Sequence, residues 1–384
     1  MKNIFDIFIK FLALGLVSFG GPMAHIGYFQ KRFVEQLKWL DEQSYSKLLA
    51  LSQFLPGPSS SQVGFAIGLK RGGLLGAITA FIAFTFPSFI VLYLIASFSL
   101  TETENGLIEG IILGLKLFAV VIVADATISM FKSFCKDNIT IAIFAISTLL
   151  LILVSSAFIQ ILVLALAAIV GKIFIENVKE EEVIEQKKTK KLPLIIFFAL
   201  LLILPFFANS SLQMQIISSF YEVGSLVFGG GHVVLPLLEQ NLQALVSKDD
   251  FLLAYSFAQA VPGPMFTIAS YLGANIMNEG AFYGALIATL AIFLPGFLLI
   301  LAFSESFESY SKKKNVLSAL AGVNAAVVGL LASVLLVSVG PSAVHSAFDF
   351  IIVGAGLVLI RTVKLPILLT ILIFIVIGLL KYFF

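Results

Sequence analysis

Charge is what this chain lacks. Of its 384 residues only 12% are Asp, Glu, Lys or Arg, against roughly 25% in an ordinary soluble domain. Cysteine is almost missing too: Cys135 stands alone, which excludes an intrachain disulfide and a metal site built on thiolates. The three histidines, His25, His232 and His345, are too scattered for metal-ligand spacing. No basic cluster carries interleaved aromatics, so nucleic acid is not a partner the sequence suggests. The start, Met1 to Leu16, has Lys2, Asp6 and Lys10 spread through it. It lacks the basic-then-apolar layout and small-residue cleavage site of a signal peptide, and reads as mature sequence. There is no nucleophile elbow and no paired carboxylates, so an enzyme embedded in the membrane finds no support, and no cofactor is called for. What fills the chain is apolar residue, 59% of it, with a mean hydropathy of +1.06. That is the composition of an all-α polytopic membrane protein.

Apolar runs of about 17 to 25 residues are long enough to cross a bilayer as helices. Thirteen such segments can be marked: 4–19, 46–69, 74–98, 107–131, 139–155 and 157–173, then 192–208 alone, then 214–236, 251–277, 281–303, 316–338, 345–361 and 365–382. Between the two sets of six, Glu176 to Lys191 holds five Glu and five Lys in 16 residues. The expected organisation is therefore an N-terminal repeat over 1–175, a charged, partly helical linker over 176–191, a connecting helix over 192–208, and a C-terminal repeat over 209–384.

Basic loops stay on the cytoplasmic side. That places Lys70-Arg71, Lys132 with Lys136, and the linker lysines inside, with Glu102, Glu104 and Glu109 outside. The second set inverts the signs: Asn278-Glu279 stands where Lys70-Arg71 stood, and Lys312-Lys313-Lys314 where the acidic loop stood. An odd crossing between the halves supplies the flip, giving two inverted repeats, a common transporter plan. The N-terminus and linker fall on the cytoplasmic face. The first two segments of each repeat either cross fully or enter and leave on one face. Breaks inside them favour broken or re-entrant helices.

Those breaks are duplicated. Gln53-Phe54-Leu55-Pro56-Gly57-Pro58 returns as Gln259-Ala260-Val261-Pro262-Gly263-Pro264. Phe19-Gly20-Gly21-Pro22 returns as Phe228-Gly229-Gly230-Gly231, and Phe86-Pro87-Ser88 as Leu294-Pro295-Gly296. Pro lacks a donor and Gly lacks restraint, so both are costly inside a helix. In lipid the freed backbone must line a cavity or bond to protein. Matched breaks in two halves point to a transporter's substrate site. A helix starting near Pro58 leaves the amides of Ser59, Ser60 and Ser61 unpaired beside three hydroxyls. Such an end attracts anions. The partner turn offers only Thr267. A tight turn with no ligand is the plainer reading of one such motif; two in register weigh against it. Gln53 and Gln259 precede both motifs, and each could serve a ligand or the broken backbone.

Ionisable groups inside a membrane are expensive. Lys116 and Asp125 share one segment, nine residues apart and on opposite faces. Lys116 either faces the cavity or snorkels toward the acidic loop. Asp125 and Glu222 are either proton carriers or interfacial carboxylates. His25 and His232 each follow a glycine break, and are either proton carriers or hydrogen-bonded structural groups.

Together the repeated motifs, Ser59 to Ser61 and the glycines of Gly72 to Gly76 resemble the chromate ion transporter family in its long, two-repeat form. The resemblance runs from residue 11 to about 340. Two departures stand out: Ser-Ser-Ser where a Thr is expected among the hydroxyls, and Met265-Phe266 where a second polar set would be expected. The resemblance implies a bacterial or archaeal inner-membrane protein that moves chromate outward using the proton motive force, with a small inorganic oxyanion and the lipid bilayer as its partners. Sulfate is a tetrahedral dianion of similar size, and the sequence does not separate the two. A passive anion channel is the rival reading, and a homodimer is left open.

Overall fold

The computed structural model of the chain describes residues 2–19, 21–99, 106–154, 157–175, 189–228, 234–307 and 313–383. No described residue lies in a strand. The first repeat contributes α1 (Lys2–Val17), α2 (Gly21–Phe29, continued by a π-helical turn Gln30–Gln36), α3 (Glu42–Phe54), α4 (Ser59–Ser99), α5 (Gly106–Phe134), α6 (Asn138–Leu153) and α7 (Ala157–Phe174). After α8 (Lys191–Phe207) come α9 (Leu212–Leu226), α10 (Val234–Leu242), α11 (Lys248–Ala260), α12 (Ile268–Ile276) and α13 (Ala281–Phe303). Then follow α14 (Lys314–Val334), α15 (Ala347–Val358) and α16 (Ile367–Phe383). Among the described residues five stretches are long and apolar enough to cross a membrane: Ser59–Phe98, Glu109–Phe134, Lys191–Ser210, Ala281–Phe303 and Lys314–Ala343. The charged linker over 176–188, with its expected helicity, lies outside the described residues, as do Glu102, Glu104 and Lys312.

Local chemistry sets the boundaries. Asp41 caps α3 by accepting from the Ser44 amide at 2.7 Å. Asp137 with Thr140, and Ser346 with Asp349, close reciprocal capping boxes on α6 and α15. The expected segment 46–69 is broken: α3 ends at Phe54 and a new helix begins at Ser59 after the Pro56-Gly57-Pro58 turn. The gap between 69 and 74 appears inside α4 as non-helical Gly72 and Gly73, where the chain bends. In the second repeat the same two interruptions separate α11, α12 and α13.

The helices gather into two compact units that are not the two repeats. The first holds 1–101, 183–234 and 257–311; the second holds 102–182, 235–256 and 312–384. Each draws on both halves. In the first unit α1 packs on α4 and α9 packs on α13, the same pairing once per repeat.

In the second unit the repeats exchange partners. Helix α5 packs on α16 and α15, whereas α14 packs on α7 and α6. The close approaches match as well. A methyl on Gly114 would lie 2.1 Å from the Phe374 carbonyl oxygen, and one on Gly322 would lie 2.1 Å from that of Ala167. Side-chain bonds fix direction. Tyr382 bonds Glu109, so α16 finishes where α5 starts. The Ser318 hydroxyl donates to the Ile175 carbonyl at 2.7 Å, so α14 starts where α7 finishes. Three passes separate the start of α5 from the end of α7. Helix α14 therefore runs antiparallel to α5, and the repeats are inverted.

Candidate functional site

Both Pro-Gly-Pro turns lie in the first unit, and they interlock with the opposite repeat in matched ways. The Gly57 amide donates to the carbonyl of Val227 at the end of α9, at 2.7 Å. The Gly263 amide donates to the carbonyl of Ser18 at the end of α1, at 2.9 Å. The two glycines have φ of +124° and +118°, a region L side chains rarely enter. A Cβ on Gly57 would sit 2.9 Å from the Gly296 Cα, and one on Gly263 would sit 2.6 Å from the Ser88 hydroxyl. Ser88 and Gly296 follow the helix prolines Pro87 and Pro295. Each turn is thus seated beside the helix proline of the other half.

The side chains then diverge. In repeat one the first helical bond of α4 runs from the Gln62 amide to the Pro58 carbonyl, 2.9 Å. The amides of Ser59, Ser60 and Ser61 come before it, as a helix start requires. All three serines are buried. His25 is wholly buried beside them. Its Nε2 lies 3.0 Å from the Ser18 carbonyl and its Nδ1 3.3 Å from the Ser60 hydroxyl. Gln62 donates through Nε2 to the Pro56 carbonyl at 2.9 Å and to the Gly296 carbonyl at 3.2 Å. Four buried atoms here find no hydrogen-bond partner among the described residues: Ser18 Oγ, Ser61 Oγ, Gln62 Oε1 and Thr85 Oγ1. A buried polar group left unmatched costs about 1–3 kcal/mol. Each is a group that a polar ligand or an ordered water would satisfy.

The turn of repeat two bonds its own polar groups instead. A short 3₁₀ turn, Met265–Thr267, precedes α12. Thr267 donates to the Pro264 carbonyl through both its amide, 3.0 Å, and its hydroxyl, 2.5 Å. Met265 and Phe266 fill the space apolarly, both buried. Gln259 is buried and reaches the Met265 sulfur at 3.3 Å, while its counterpart Gln53 is exposed.

The structure therefore brings together Gly21, His25, Pro56 to Ser61, Gln259, Pro262 to Pro264 and Thr267 in the first unit. Glu222 is there as well, half-buried on α9. Gly20, Gly229, Gly230 and His232 lie outside the described residues. Lys116 and Asp125 belong to the second unit, and each already has an ionic partner. Lys116 pairs with Asp249 at 2.6 Å, and Asp125 with Arg361 at 2.7 Å. Sequence reasoning missed Glu239, which belongs to no repeated motif. It lines a cavity of about 650 Å³ in the second unit with Gln240, Lys248, Ser333 and Ser338. One carboxylate oxygen accepts from the Ser338 hydroxyl, and the other has no partner among the described residues.

Two inverted halves, each broken at the same place and interlocked at the break, have the build of a membrane transporter. The chain belongs to the chromate transporter family: the family model described as Chromate transporter matches residues 5–172 and again 214–379. It is a multi-pass membrane protein of a transport family, not of an enzyme family. The chain is 29% identical over 336 residues to an uncharacterised transporter of Methanocaldococcus jannaschii, covering 86% of this chain and 83% of that one. It is 27% identical over 350 residues to a probable chromate transport protein of Synechococcus elongatus, covering 89% and 86%. To a chromate transport protein of Pseudomonas aeruginosa it is 24% identical over 352 residues, covering 85% and 79%. No solved structure matches.

Proposed function

We propose that the protein exports chromate, or another tetrahedral dianion of that size, across the cytoplasmic membrane of a bacterium or archaeon. The proton motive force drives it, and the N-terminus and linker face the cytoplasm. The observation that carries this reading is the start of α4. Three amides precede the first helical bond, three buried serines flank them, and Ser61 Oγ has no partner among the described residues. Donors of this kind suit an oxyanion, and the positive end of the helix dipole adds to them. The relatives named as chromate transport proteins supply the choice of anion.

The direction follows from charge. Moving one elementary charge through 100 mV is worth about 2.3 kcal/mol, so a dianion leaving an inside-negative cell gains about 4.6 kcal/mol per 100 mV. Export is then downhill on the electrical part of the proton motive force alone, while import is uphill by the same amount.

The test is chromate flux in proteoliposomes under an imposed potassium diffusion potential, with and without a pH gradient, with sulfate as competitor. Chromate should move toward the positive side, faster as the potential grows. Flux indifferent to potential would contradict electrogenic export. Sulfate carried as fast as chromate would move the assignment to tetrahedral dianions in general.

A further inference from the structure

We infer that anion binding at the start of α4 is linked to protonation of His25, through reversal of the Ser60 hydroxyl. The inference rests on the oxyanion reading of that site and adds how the site responds to protons.

The geometry fixes the ring's state. A carbonyl oxygen only accepts, so His25 Nε2, 3.0 Å from the Ser18 carbonyl, must carry a hydrogen. In the neutral ring Nδ1 is then the acceptor, and the Ser60 hydroxyl 3.3 Å away must donate to it. Ser60 turns its hydrogen toward the histidine and offers only lone pairs elsewhere. An anion beside Ser59, Ser60 and Ser61 would meet those lone pairs.

Protonation reverses this. Nδ1–H now donates to Ser60, and the serine's hydrogen is released to point at the anion. One proton adds a positive ring behind the serine and turns the serine from acceptor to donor. Ser18 O holds the other side of the ring still in both states. It also accepts from the Gly263 amide at 2.9 Å, so the histidine rests on the same carbonyl that receives the opposite repeat's turn.

Few other charges compete. The ring edge meets Phe84 at 5.3 Å between centroids. On α1 the nearest charged residues are Asp6 and Lys10, paired with each other at 3.9 Å; Lys10 is about 12 Å along the helix from Ser18 at 1.5 Å per residue. On α4 they are Lys70 and Arg71, about 15 Å along from Ser60 on the same rise. Along α2 itself the first is Lys31, about 9 Å on, followed by Arg32 and Glu35. Helix α3 carries Glu42 and Lys47. Helices α12 and α13 carry no Asp, Glu, Lys, Arg or His, with Tyr271 and Tyr283 their only titratable groups. Glu222 on α9 is the carboxylate nearest in sequence to Val227, whose carbonyl holds Gly57.

The experiment is titration calorimetry of chromate into the purified protein at mildly alkaline pH, where free chromate is the dianion. It is run in two buffers of different ionisation heat, so that the difference counts protons. The wild type should take up close to one proton per chromate bound. His25→Gln should still bind, with affinity about two- to tenfold weaker, the range of one ordinary hydrogen bond, and take up almost none. Ser60→Ala should keep the histidine yet lose most of the uptake, because the relay is cut. Chromate binding with no proton uptake in the wild type would overturn the linkage and leave the oxyanion site standing. Full uptake in His25→Gln would also overturn it, and would move the proton to Glu222 or Glu239. Absence of chromate binding in the wild type would sink the oxyanion reading itself.

Discussion

The two Pro-Gly-Pro turns share a backbone and differ in everything they offer a ligand. Both glycines take a positive φ, +124° and +118°, both amides donate to the end of the other half's first helix, and both rest beside a helix proline of that half. Yet one turn opens onto three buried serines, a buried histidine and hydroxyls without partners, while the other closes on Met265, Phe266 and a threonine bonded to its own turn. Each turn is wedged into the opposite half. Under the proposed function only one of the two ends needs to hold an anion, so the side chains need not match. In this account repeat one binds and repeat two is an apolar gate.

The largest effect should come from filling the turns. Gly57→Ala adds left-handed strain of about 1–3 kcal/mol and a clash with backbone at Gly296. Gly263→Ala adds the same strain, but its clash is with the Ser88 side chain, which can turn away. Thermal unfolding in detergent should show the first variant far less stable than the second. Ser88→Gly, copying Gly296, should recover part of the loss at 263. Equal losses would mean that the two seats are alike.

Next comes Gln62, which ties its own turn to the Gly296 carbonyl of the opposite repeat through two bonds, one to each. Gln62→Leu should cost about 1–3 kcal/mol, since two buried carbonyls lose a donor. Gln53→Leu, at an exposed position, should leave the melting temperature where it was. A similar drop in both would detach Gln62 from the interlock.

Ser61→Ala separates binding from stability. Its hydroxyl is buried without a partner among the described residues, so removing it should raise the melting temperature slightly while weakening chromate about two- to tenfold. A fall in both would make Ser61 an ordinary structural serine. The smallest effect belongs to Lys116→Met. Its ammonium is already held by Asp249, and half-exposed pairs of this kind are worth about 0–1 kcal/mol. Chromate affinity should stay within about twofold. A larger loss would return Lys116 to the anion site.

The duplication was legible in the sequence, because Pro and Gly are costly in apolar helices and do not recur in the same order at a near-constant offset by chance. So were the break before Ser59, the bend at Gly72-Gly73 and the reversal of the second half. That the compact units cut across the repeats was hidden. Which helices α5 and α14 pack on depends on close approaches such as Gly114 to Phe374 and Gly322 to Ala167, and small residues alone do not name their partners. Gln53 and Gln259 were indistinguishable too, since one is exposed and the other buried behind the same motif. The sequence alone does not choose between the cavity and the acidic loop for Lys116, because its partner Asp249 is more than a hundred residues away. Glu239 went unseen since its cavity is made by segments distant in sequence.

The division of labour between the turns is tested most directly by chromate titration into two purified variants, Ser59→Ala/Ser60→Ala/Ser61→Ala and Thr267→Val. The account predicts that the triple variant loses chromate binding while Thr267→Val binds within about twofold of the wild type, its hydroxyl being committed to the Pro264 carbonyl. Equal loss in both would contradict it, and would describe instead a symmetric site built from both breaks.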